Sequence, residues 1–166
     1  MKRGALLAAL ALLLSGCGLH PLYSGGSSGP VASALTRVEV APIEGKSGWL
    51  MTNAIHDRLH AGGDAPLYRL EVKLDDKIIG LGLRSDDSVS RERRTLRARY
   101  QLIDLANGSV LLDATAGSDA GIDVVNSEYA TIAAETTALE RLTDIVADQI
   151  VSRVALYAQR TTAPAR

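Results

Sequence analysis

The chain has no phenylalanine, one tryptophan, Trp49, and one cysteine, Cys17. Without Phe the core must be built from Leu, Ile, Val and Ala with a few Tyr, which argues against a large aromatic ligand pocket. A lone cysteine excludes an internal disulfide and any metal site that needs several thiolates. Charge of one sign is missing too. Among 166 residues, 18 basic side chains face 19 acidic ones, so the total gives no reason to expect nucleic acid as a partner. The apolar stretch from Gly4 to Leu14 is far shorter than the roughly 20 residues a helix needs to cross a hydrocarbon core.

That short stretch follows Met1, Lys2 and Arg3 and ends at Ser15, Gly16 and Cys17. A basic start, an apolar centre and small residues at a cleavage point are the three parts of an export signal. The small pair before Cys17 resembles a lipobox, which implies cleavage before Cys17 and acylation of both its thiol and its new amino group. Several acyl chains, at about 0.8 kcal/mol per buried methylene, make a near-permanent membrane tether. Lipidation consumes the only thiol, and no cofactor is expected beyond this covalent lipid. Cleavage takes Lys2 and Arg3 with it, leaving 16 basic against 19 acidic side chains, a net charge of −3. About 150 residues remain, enough for one domain with one core. The expected organisation is a signal peptide at 1–16, a lipidated N-terminus and flexible linker at 17–34, a folded domain at 35–158 and a disordered tail at 159–166.

Within the domain, alternation at Val38 and Val40 before Pro42 predicts a short strand over 35–41. Ser47 is placed to cap a helix whose apolar face comprises Trp49, Leu50, Ile55 and Leu59, with Gly62 and Gly63 stopping it. Tyr68, Leu70, Val72 and Leu74 then alternate with Arg69, Glu71, Lys73 and Asp75, and Leu96, Ala98, Tyr100 and Leu102 repeat the device. Asn107 and Gly108 favour a hairpin turn, followed by Val110, Leu112, Ala114 and Ala116. From about Val125 the period becomes helical, with Ile132, Leu139, Leu142, Val146, Ile150, Val154 and Tyr157 on one side. The order β, α, β, β, β, α predicts an α+β two-layer sandwich. It consists of a four-stranded, mostly antiparallel sheet with two helices on one face and the other face open and polar.

Five arginines, Arg91, Arg93, Arg94, Arg97 and Arg99, stand against one acid, Glu92, within nine residues. Period two puts four of them on the open side of one strand. Guanidinium forks match phosphate oxygens, so a multiply phosphorylated ligand would fit the ridge. The alternative is pairing across the sheet with acids such as Glu71 or Asp75. A hairpin centred near Ser85 sets Arg99 against Glu71 and Arg97 against Lys73.

Other motifs carry less. Gly45, Lys46 and Ser47 imitate the end of a phosphate-binding loop, but Val40 stands where its first glycine is needed. His56 and His60 are one helical turn apart without the glutamate of a zinc-hydrolase helix. The pairs Asp75–Asp76 and Asp86–Asp87 lack the calcium-loop pattern. Gly25, Gly26, Ser27, Ser28 and Gly29 spell Gly-x-Ser-x-Gly, but within a Gly- and Ser-rich linker and without the strand pattern that a nucleophile elbow follows.

The segment Cys17, Gly18, Leu19, His20, Pro21, Leu22, Tyr23, the element order, and the stretch from Ser127, Glu128, Tyr129 and Ala130 through Ala138, Leu139 and Glu140 together resemble the LptE family of lipopolysaccharide-assembly lipoproteins. The resemblance implies a non-enzymatic plug in the lumen of the LptD outer-membrane β-barrel, which also helps that barrel assemble. It further implies binding of lipopolysaccharide, with Arg91, Arg93, Arg94, Arg97 and Arg99 as the candidate phosphate contacts. Gly18 after the cysteine resembles lipoproteins released to the outer membrane. The residues alone also leave open a lipid-anchored hydrolase and a general assembly helper that binds no lipid.

Overall fold

The computed structural model of the protein describes residues 26, 29–60, 65–83, 89–125 and 127–162. Cys17 and the signal, Gly62, Gly63, Ser85, Asp86 and Asp87 lie outside these residues. The elements are α1 (Pro30–Leu35), β1 (Val38–Val40), α2 (Gly45–Leu59), β2 (Tyr68–Leu83), β3 (Val89–Asp104), β4 (Val110–Asp123) and α3 (Glu128–Thr162). Four strands form one sheet in the order β1-β2-β3-β4. β1 is parallel to β2 through the α2 crossover, and β2, β3 and β4 make an antiparallel meander.

Alternation and one turn explain the meander. The turn after β3 has Gly108 at φ 73, a conformation that costs glycine nothing. Asp104 ties it down by accepting from the backbone N–H of Ala106 at 2.9 Å. On one face Leu70, Leu96, Ala98, Tyr100 and Leu102 are buried. The 35 residues of α3 cover that face, spanning about 50 Å at 1.5 Å per residue, much as a 16-residue strand does. Leu139, Leu142, Val146 and Ile150 meet no solvent or almost none, and neither do Ala147, Val151 and Ala155. The buried stripe is therefore wider than a sheet-facing seam, because α3 also packs against α1 and α2. Thr143 is buried among them, its hydroxyl donating to the Leu139 carbonyl at 2.8 Å. Arg58 joins α2 to α3 through Asp144 and Asp148.

The structure corrects several expectations. Part of the expected linker is α1, started by Pro30 and held by Val31 and Leu35, which belong to the core. Leu35 thus ends a helix, and the first strand is only Val38–Val40. Trp49 is 65% exposed and Ile132 52% exposed, so neither lies on a core face. Ser47 sits inside α2, whose N-cap is Glu44 without a side-chain cap bond. α3 runs to Thr162, into the expected tail. The β2–β3 register is displaced by two residues, with Arg99 opposite Lys73 and Arg97 opposite Asp75. A two-residue slip changes partners but keeps every side chain on its face.

α2 ends at Leu59, and its C-cap His60 stands at φ 52 in the left-handed region. Left-handed backbone costs a non-glycine residue about 1–2 kcal/mol. His60→Gly is therefore expected to raise stability by about 1 kcal/mol in urea unfolding, once the added unfolded-state freedom is subtracted. The same geometry removes His60 from the helical face of His56. Among the described residues no helix is long and apolar enough to cross a membrane.

Candidate functional site

Among the described residues no helix covers the second face of the sheet. Register assigns it Glu39 from β1; Arg69, Glu71, Lys73, Asp75 and Lys77 from β2; Arg91, Arg93, Arg97 and Arg99 from β3; and Asp113, Asp119 and Asp123 from β4. Most of these charges neutralise one another. Arg69 binds Glu39 at 2.6 Å, Lys77 binds Asp75 at 2.8 Å and Arg91 binds Asp123 at 3.0 Å. Arg93 reaches Asp119 only at 4.0 Å. Arg99 holds Asp113 with two nitrogens at 3.3 and 3.0 Å, and Gln101 donates to the same carboxylate at 2.9 Å.

Two cations are left over. Asp75, opposite Arg97, is occupied by Lys77, and neither Arg97 nor Lys73 makes a hydrogen bond or ion pair among the described residues. Lys73 stands directly across from Arg99, where side chains are about 5 Å apart at Cβ. Arg97 is two residues further along the same strand, about 7 Å away. Like charges facing each other across strands destabilise a sheet, and while Asp113 offsets Arg99, nothing among the described residues offsets Lys73. Two adjoining depressions open here. One of about 320 Å3 is lined by Lys73, Asp75, Arg97, Arg99 and Thr115, and one of about 200 Å3 by Glu71, Lys73, Arg99 and Gln101. On the far side of Arg97 is Gly117, where a Cβ would come within 3.2 Å of the Arg97 Cγ. The glycine gives the arginine stem its room.

Arg94 does not share this face. It points to the helix side, where its Nε and Nη2 bind the two oxygens of Asp76 at 2.9 and 2.7 Å and its Nη1 donates to the Glu135 carbonyl at 2.9 Å. Its side chain is 13% exposed, and it fastens α3 to the far end of the sheet. Glu92 is on the same side, with one carboxylate oxygen buried and unpartnered. A cavity of about 530 Å3 lies between α1, α2 and α3, with Arg58 in its wall and away from the β3 arginines. Among the described residues no three His, Cys, Asp or Glu side chains are grouped to hold a metal.

The Arg99 hydrogen bond, reinforced by Gln101, holds the Asp113 carboxyl below its ordinary value. A lowered folded-state pKa favours the fold above the ordinary Asp range, and that contribution disappears as pH falls through the lowered value. Both groups are exposed, so the pair matters little to stability. Asp113 competes with other anions for Arg99.

The sequence analysis singles out all five arginines but not Lys73. Its signal was its phase, shared with the arginines, and only the register reveals which arginine it faces.

A family model described as LptE, lipopolysaccharide-assembly, matches residues 35–154. A putative lipoprotein from Caulobacter crescentus CB15 is 25% identical, with a TM-score of 0.68 covering 82% of this chain and all of that one. A minor lipoprotein from Acinetobacter baumannii, 14% identical, gives 0.60 over 73% of this chain and 92% of its own. The rare lipoprotein B of Shewanella oneidensis, 12% identical, gives 0.55 over 75% of this chain and all of its own. The last two share the fold alone. No curated protein matches the chain at a significant level.

Proposed function

This chain belongs to the LptE family of lipopolysaccharide-assembly outer-membrane lipoproteins, and from that premise we propose that it binds lipopolysaccharide on its uncovered sheet face while seated in an LptD-type β-barrel. The observation that carries the ligand reading is the uncommitted pair Lys73 and Arg97, beside Arg99, over an open depression. Guanidinium and ammonium groups without internal partners are ready donors for phosphate oxygens. Arg91 and Arg93 extend the ridge with exposed guanidiniums, Arg91 paired to Asp123 at 3.0 Å and Arg93 reaching Asp119 only at 4.0 Å. Arg94 is a positioning residue for α3 and not a ligand contact. The alternating charges of the open face and the wet flank of α3 suit a water-filled barrel interior. Cys17 carries the lipid that holds the protein at the outer membrane, and the protein works without catalysis or cofactor.

Affinity purification of the full-length protein from detergent-solubilised membranes, followed by mass spectrometry, tests the assembly. A stoichiometric outer-membrane barrel and acylation of Cys17 are expected. Recovery of the protein alone, or with another envelope complex, contradicts the plug reading.

The sheet's outer edge supplies a further expectation. Gln149 of α3 closes the outward-facing peptide of Gly117, accepting from its N–H at 3.1 Å and approaching its carbonyl at 3.5 Å. Gln149→Ala is expected to cost about 1 kcal/mol, the net worth of one such hydrogen bond, read as a lower urea midpoint with an unchanged slope.

A further inference from the structure

The sheet's two edges are treated differently. Gln149 blocks β4 at its middle, whereas β1 covers β2 only from Tyr68 to Leu70. The pairing stops where the Ala41 N–H donates to the Leu70 carbonyl at 2.9 Å, because Pro42 has no N–H to continue it and the chain leaves for α2. The Leu70 carbonyl points out of the sheet, so by the period of two the peptide groups of Val72, Leu74, Asp76 and Ile78 do as well. Among the described residues nothing bonds them.

An edge of this length invites another strand, and here the space for one is bounded. A groove of about 480 Å3 runs beside it, between the span Glu71 to Asp76 on one side and Ala41, Pro42, Ile43, Glu44 and Ser47 on the other. A groove walled on both sides accepts a single extended segment, not the edge of a second sheet. Charge points the same way. Lys73 and Lys77 discourage pairing with another copy of this edge, while the three donors of the Lys73 ammonium let it meet an acidic residue opposite it and still face the phosphate. On the helix side, Val72 is buried and Leu74 and Ile43 pack against the core, so the neighbouring positions of an incoming strand would be apolar.

We infer that the groove receives one extended segment of the barrel partner, alternating acidic and apolar residues, which adds to β2 and continues the line of β1. The inference rests on the barrel assignment above. Main-chain hydrogen bonds would register the plug within the barrel independently of its lipid-facing arginines.

Amide hydrogen exchange with residue resolution over 71–78 tests it, comparing the full-length chain in detergent with the co-purified barrel complex. In the complex the outward amides of Val72, Leu74 and Asp76 are expected to slow by about fivefold or more, the factor of one net backbone hydrogen bond. The inward amides of Lys73 and Asp75 stay protected in both states. Unchanged exchange at the outward amides in a complex that does co-purify overturns the added strand and leaves the barrel assignment standing. Failure of any barrel to co-purify overturns that assignment and the inference with it. Protection already present in the free chain and growing with its concentration would give the edge to a second copy, and overturns the inference too.

Discussion

Lys73→Glu combined with Arg97→Glu is expected to weaken lipopolysaccharide binding by about a hundredfold or more without unfolding the domain. Each charge-assisted contact to phosphate contributes about 1.5–3 kcal/mol, and 1.4 kcal/mol is a factor of ten. Losing two such contacts therefore removes at least about 3 kcal/mol. Introducing two carboxylates beside a phosphate adds repulsion. The fold is spared because neither side chain has a partner to lose among the described residues, and both are exposed. Titration with lipopolysaccharide measures the loss, and thermal unfolding of the double variant checks the fold. Arg99→Glu should weaken binding less cleanly, since it also strands Asp113. Equal affinity in the double variant and the parent would return the open face to a merely solvated surface.

Leu142→Ala is expected to lower stability by about 2–5 kcal/mol, from lost burial and the cavity left behind. Leu142 is 1% exposed on α3, at the centre of a helix enclosed by the sheet on one side and by α1 and α2 on the other. Against a total of about 5–15 kcal/mol for a domain, that loss is large. Ile145→Ala, three residues along the same helix, removes a side chain that is 44% exposed and is expected to cost at most about 0.5 kcal/mol. Urea unfolding of the two variants measures the contrast. Equal losses would mean that α3 is rotated about its axis from the position described.

These residues also show what could be read from sequence alone. The faces of β2 and β3 were legible because strict alternation over many residues leaves one way to bury Leu70, Leu96 and Leu102 together. The central stripe of α3 was legible for the matching reason at a period near four. The pairing partners were not. Register depends on the turn, and a hairpin centre one residue further along moved Arg99 from Glu71 to Lys73. That slip changes the chemistry of the site, since it brings two cations together and leaves Arg97 facing an aspartate already occupied. The opposite fate of Arg94 was implicit in its even phase. What phase could not reveal is that Asp76 and the Glu135 carbonyl await it beneath α3. Composition misled at α1, because a Gly- and Ser-rich approach hides the two residues, Val31 and Leu35, that reach the core. Trp49 misled for another reason: a large apolar side chain one turn into a helix suggests a buried face, but Met51, Ala54 and Ile55 already fill that face.

The most direct test of the central claim is site-specific photo-crosslinking in intact cells, with a photoreactive residue placed at Thr115, beside the Lys73, Arg97 and Arg99 depression, or at Glu140 on the exposed side of α3. A lipopolysaccharide adduct from position 115 and none from position 140 is the predicted result, and the adduct should fade in the Lys73→Glu, Arg97→Glu background. Adducts from position 140 alone, or from neither position while the barrel complex is intact, would contradict lipopolysaccharide binding on the open sheet face.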